Sequence, residues 1–160
     1  MYKTKIDIAE NTRKAAIDLL QARLADAVDL VTQAKQAHWN VKGPNFIALH
    51  ELFEKVAEDG REHADLIAER ITALGGLAEG TAAVVAERSA LPRYPLDVTE
   101  SAAHIEALST ALAAFGKAVR AAIHATAEMG DEVTADLFTE VCRTVDKNLW
   151  LVEAHTQAKG

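Results

Sequence analysis

An all-α fold, a bundle of four long helices with a short extra helix in the connection between the second and third, is what this 160-residue chain predicts. Three observations lead there. The chain is 49 % hydrophobic with only three prolines, and its richness in Ala, Leu, Glu and Lys favours helix over strand. Apolar residues recur at three-and-four spacing through four long segments. Tight turns join the first pair and the last pair of these segments, while the stretch 77–98 separates the two pairs. A chain of this length buries roughly two-thirds of its unfolded surface, so one core and one domain over residues 1–160 are expected, with 1–10 as a short N-terminal tail.

The first helix is expected from about Asn11 to Trp39, with Ile17, Leu20, Leu24, Ala27, Val28 and Val31 on its packed face. Lys42-Gly43-Pro44-Asn45 ends it, because Gly43 permits unusual backbone angles and Pro44 disfavours helical geometry just before it. Asn45 is the expected cap of a second helix that runs to Leu74, before Gly75-Gly76, on a stripe of Phe46, Leu49, Phe53, Ala57, Ala64, Ile67, Ile71 and Leu74. Pro92 and Pro95 mark the crossover, and Thr81 to Leu91 is its short helix. Asp97 or Thr99 is the expected cap of a third helix reaching about Glu128, and Met129-Gly130-Asp131 leads into a fourth over about Glu132 to Gln157. Two hairpins linked by a crossover give the up-down-down-up connectivity of ferritin-like bundles.

Several function classes are disfavoured at once. No apolar run reaches the roughly 18 residues of a membrane span, and the N-terminus MYKTKIDIAENTRK has no signal-peptide pattern. A soluble, cytoplasmic protein is expected, nucleoid-associated only if it binds DNA. The single cysteine, Cys142, lies near Val141 and Val145 and reads as a buried thiol. A net charge of −7 opposes general binding to phosphate backbones.

The chemistry concentrates in AHWNVKGPNFIALHELFEK, residues 37–55. His38 stands five residues before the Gly43-Pro44 bend and His50 six after it, so an antiparallel hairpin brings them to nearly the same height. His38 continues the register of Ile17, Leu24 and Val31 in steps of seven. A histidine so placed is most often a hydrogen-bonded core residue. On the second helix, however, Glu54, Asp65 and Glu69 fall about 40°, 60° and 100° around the axis from His50, on one flank. Along that axis Glu54 and Asp65 are about 16 Å apart, so a single chain offers two half-sites. Two copies of the helix packed antiparallel about a two-fold axis near Asp59-Gly60 would solve this: His50 and Glu54 of one meet Glu69 and Asp65 of the other, and Glu58 meets Arg61. The same acids also read as an ordinary solvated face. Two imidazoles with three carboxylates suit Fe(II), Mn(II) or Zn(II). Trp39, beside His38, is placed either to pack on such a centre or to serve as an interface aromatic.

H-W-N-V-K-G-x-x-F-x-x-L-H at 38–50, the carboxylates at 54 and 65, and A-E-R at 68–70 closely resemble the Dps family, the miniferritins. The resemblance implies a ferritin-like subunit of a hollow dodecamer that oxidises Fe(II), usually with hydrogen peroxide, and stores ferric mineral. It implies a ferroxidase centre between two-fold-related subunits, with His38, His50 and Glu54 from one and Asp65 and Glu69 from its neighbour. The family usually has aspartate where this chain has Glu54. By the same resemblance Asp131, Asp136 and Glu140 would line an acidic three-fold pore; otherwise they are ordinary acids at a helix N-terminus. Strong DNA binders of the family use Lys-rich tails, and this chain offers Lys3 and Lys5, with Arg13 and Lys14, and a short QAKG end. DNA binding is therefore expected to be weak or absent. Nucleoid compaction and structural zinc in the same site are the rival functions.

Overall fold

A computed structural model describes residues 1–157; Ala158, Lys159 and Gly160 of the QAKG end lie outside the described residues. The helices are α1 (Glu10–Asn40), α2 (Phe46–Ala73), α3 (Ala82–Arg88), α4 (Ser101–Glu128) and α5 (Glu132–Gln157). The expected fold class is observed: α1 and α2 form one hairpin, α4 and α5 the other, α1 packs on α4, α2 on α5, and α3 rests against α1. The core runs the length of the bundle through Leu20, Leu30, Leu49, Phe53, Ile67, Leu108, Phe115 and Phe138. Cys142 is buried in it, and burial pushes its thiol pKa up.

The capping expectations need correction. Asn45 precedes α2 but its side chain makes no capping hydrogen bond, and Glu100, not Asp97 or Thr99, stands before α4. Phe46, expected in the core, is 39 % exposed because it sits beyond the last turn of α1; it leans against the His50 ring instead. Gly43, at φ 115°, makes the bend that brings His38 and His50 level.

The N-terminal segment is not a loose tail. The Tyr2 backbone N–H donates to the Gly75 carbonyl at 2.7 Å. Buried Arg13 donates to the carbonyls of Ile8 at 3.2 Å and Leu74 at 2.9 Å, pinning the segment to the end of α2. Gly75 adopts φ 90°, and a Cβ there would lie 2.4 Å from the Tyr2 carbonyl oxygen. The latch thus depends on a residue without a side chain.

Asp26 and Asp29 tie the crossover to α1. Asp26, fully buried, accepts from the Ala90 N–H at 2.8 Å and pairs with Arg23 at 2.8 Å, and Asp29 accepts from the Ser89 hydroxyl at 2.6 Å.

Candidate functional site

The sequence puts His38 on the last full turn of α1 and His50 on the first turns of α2, and the hairpin presses them together. Their rings stack with centroids 3.7 Å apart and planes 25° from parallel. His38 Nδ1 lies 2.7 Å from the His50 carbonyl oxygen, and His50 Nδ1 lies 2.8 Å from the His38 carbonyl oxygen. A carbonyl oxygen only accepts, so each Nδ1 carries the hydrogen and donates it. Each imidazole in its neutral form is therefore fixed with the Nε2 lone pair free, the arrangement that readies histidine as a metal ligand.

Glu54, one turn beyond His50, brings its Oε2 to 3.4 Å from His38 Nε2. Lys35, one turn before His38, donates from Nζ to that same Oε2, and Arg61 donates to Oε1 at 3.4 Å. The hydrogen bond from Lys35 holds the Glu54 carboxyl below the usual carboxylate range. The Lys35 ammonium also stands 5.7 Å from the centroid of the Trp39 ring, which is 66 % exposed. In Lys35-x-x-His38-Trp39 the lysine precedes the histidine by three residues and the tryptophan by four, on one helical face, but only the reach of Glu54 from α2 marks it as part of the site.

Asp65 and Glu69 lie further along α2 and are exposed. Among the described residues no three His, Cys, Asp or Glu side chains gather closely enough to hold a metal ion. The chain stacks His38 on His50 and sets Glu54 near His38 Nε2, without closing the three into a metal-holding group, and leaves Asp65 and Glu69 apart from them. An apolar depression of about 410 Å³ lies beside Asp65, walled by Leu24, Val28 and Val31 of α1 and Ala64 and Ala68 of α2. Asp59 and Gly60, at the height proposed for a two-fold axis, point into the bundle: Asp59 accepts from Asn148 at 3.0 Å, and Gly60 abuts Val31. Glu58 and Arg61 are exposed at that level.

Of the three acids expected at a pore, Asp136 and Glu140 are exposed on α5. Asp131 is different: it is 1 % exposed, caps α5 through the Thr134 N–H at 3.1 Å and hydroxyl at 2.5 Å, and accepts from Arg70 at 2.8 Å. Burial commits this carboxylate to the helix start, so Asp131 has no surface with which to line a channel.

His63 and His104 are both buried. Burial lowers the pKa of each, opposed by the Asp59 carboxylate for His63 and by the Asn40 backbone for His104. The Tyr94 hydroxyl meets His104 Nδ1 at 2.5 Å, and burial raises the Tyr94 pKa to about 12.

Comparisons with known proteins agree with this architecture. The sequence matches the ferritin-like domain over residues 17–158. A "DNA protection during starvation protein" of Agrobacterium fabrum is 42 % identical over 159 residues, covering 99 % of this chain and 98 % of the relative. The solved structure "Mycobacterium smegmatis Dps tetragonal form" superposes with a TM-score of 0.93 at 31 % identity, covering 99 % of this chain and 96 % of that one. "Structure of Dps from Microbacterium arborescens in the high iron form" gives 0.88 at 32 % identity, covering 99 % and 100 %. By its helix order, its core and these likenesses over almost its whole length, the chain belongs to the Dps family of ferritin-like proteins.

Proposed function

We propose that this protein is an iron-oxidising, iron-storing miniferritin whose ferroxidase centre is completed between two copies of the chain. One observation carries the reading: reciprocal Nδ1-to-carbonyl hydrogen bonds leave the Nε2 of both His38 and His50 free, with Glu54 Oε2 3.4 Å from the His38 nitrogen. Nitrogen and carboxylate ligands suit Fe(II), and carboxylates offset the added charge of Fe(III). A relative solved "in the high iron form" supports iron as the cargo. Asp65 and Glu69 of a second copy supply the remaining carboxylates, and the apolar depression beside Asp65 offers surface for that copy to bury. The copies assemble further into the hollow dodecamer that the family resemblance implies.

Fe(II) is substrate here. Two Fe(II) ions each give one electron to hydrogen peroxide, whose O–O bond breaks and whose oxygens leave as water or enter ferric oxide-hydroxide. The exposed acids Asp136 and Glu140 attract the incoming cation electrostatically. The protein supplies ligands, charge and confinement. Replacing the family's usual Asp with Glu54 moves the carboxylate outward by one methylene, and rate rather than iron binding is where the difference appears.

Stopped-flow absorbance after anaerobic Fe(II) loading and peroxide addition tests this. Fast Fe(III) formation that the His38→Ala/His50→Ala variant loses is expected; equal rates in both proteins would reject an iron-oxidising centre here. The pinned N-terminus disfavours the nucleoid-compacting alternative, because Lys3 and Lys5 sit on a latched segment. With −7 on every copy, DNA binding is weak or absent. Structural zinc in the same site remains the reading to adopt if zinc binds tightly without iron oxidation.

A further inference from the structure

We infer that Lys35 is a resident counter-cation of the candidate centre, which an incoming divalent ion must displace from Glu54 and which Trp39 receives when displaced. The inference rests on the His38, His50 and Glu54 half-site proposed above. Lys35 Nζ and His38 Nε2 converge on the same Glu54 oxygen, so the ammonium holds the oxygen that a metal shared by His38 and Glu54 would take. An ammonium and a divalent ion a few ångströms apart repel strongly. They cannot both use Oε2.

Lys35 has somewhere to go. Its Nζ already stands 5.7 Å from the Trp39 ring centroid, one helical turn along α1, and the exposed ring face offers a cation–π contact. A flexible four-carbon stem swings from Glu54 to Trp39 by side-chain rotation alone. Arg61 holds the other oxygen, Oε1, at 3.4 Å, so it keeps Glu54 aimed at the histidines during the exchange.

The consequence is selectivity. Lys35 and Glu54 are 22 % and 30 % exposed at their side chains, which makes their bridge modest in strength. An ion that also gains imidazole nitrogen replaces the ammonium readily. A hard oxygen-seeking ion such as calcium gains little from imidazole and does not. Lys35 thus acts as a specificity-determining residue without being a ligand.

Zinc, which neither oxidises nor reduces, is the probe. The full chain, assembled and freed of metal by chelator, is prepared with Trp150→Phe so that Trp39 is the sole tryptophan. Zinc affinity is measured by calorimetry and Trp39 emission is recorded in the same titration. Lys35→Met is expected to tighten zinc binding about three- to tenfold and to abolish the zinc-induced change in Trp39 emission. Lys35→Arg keeps a cation on Glu54 and is expected to bind zinc no more tightly than the parent. If zinc binds in a manner that His38→Ala/His50→Ala removes, yet Lys35→Met leaves both affinity and emission unchanged, the role of Lys35 is overturned while the metal centre stands. If zinc binding ignores the histidines, the centre itself is rejected and the role of Lys35 with it.

Discussion

Arg70→Met should be among the most damaging single changes near the α2–α5 contact. The Arg70 and Asp131 side chains are 12 % and 0 % exposed and meet at 2.8 Å, and Arg70 Nε also donates to the Thr134 hydroxyl at 2.9 Å. Methionine fills much of the same space but leaves the Asp131 carboxylate buried and without its cation. Breaking a buried pair from one side costs about 3 kcal/mol or more. For a chain of this length each kcal/mol moves the melting temperature by about 2–4 °C, so a fall of about 6–12 °C is expected. Adding Asp131→Asn removes the stranded charge while keeping an oxygen to cap α5, and the double variant should recover more than half of the loss. Thermal melts followed by circular dichroism at one fixed protein concentration measure both, since assembly links stability to concentration. A melting temperature unchanged in Arg70→Met, or a double variant less stable than the single one, would refute the assignment of Asp131 to the helix start.

Two further predictions concern the fold that holds the site. Burial disfavours the charged form of His63 and His104 and lowers their pKa values from 6.5. Because the unfolded chain protonates more readily, their contribution to stability is present above pH 6.5 and is lost as pH falls below it. Metal-free protein should therefore lose thermal stability as pH falls below 6.5, and His104→Gln should flatten that slope; an identical slope in the variant would exclude His104 as a source. Gly75→Ala should unlatch the N-terminal segment, because the new Cβ would stand 2.4 Å from the Tyr2 carbonyl oxygen at a φ of 90°. Trypsin should then cut after Lys3 and Lys5 much faster than in the parent, and unchanged cleavage would show that the latch tolerates a side chain.

Much of this was legible in the sequence because it depends on local rules. Three-and-four spacing gave the helices, Gly43-Pro44 and Met129-Gly130 the hairpins, and nearly equal distances from one bend predicted that His38 and His50 meet. What stayed hidden depends on which way side chains lean once helices pack. Asp131 looks like any acid at a helix start; only the approach of Arg70 from α2 shows it to be buried. Phe46 has the right spacing for the core but lies past the end of its packing partner. Lys35 reads as a surface lysine until Glu54 is seen to reach across from α2. The N-terminal lysines suggest a tail, and the Tyr2 to Gly75 hydrogen bond, which joins residues far apart in sequence, removes its freedom.

The central claim, that each centre takes ligands from two chains, is tested most directly by complementation. His38→Ala/His50→Ala and Asp65→Ala/Glu69→Ala chains are each inactive alone under this account. In a two-fold pair of one chain of each kind, one centre combines both defects while the other combines intact histidines with intact partner acids. Unfolded together in equal amounts and reassembled, the two variants should regain about a quarter of the parent centres, read as peroxide-driven Fe(III) formation in stopped flow. Co-assembled particles that stay as inactive as either variant alone would contradict a shared centre.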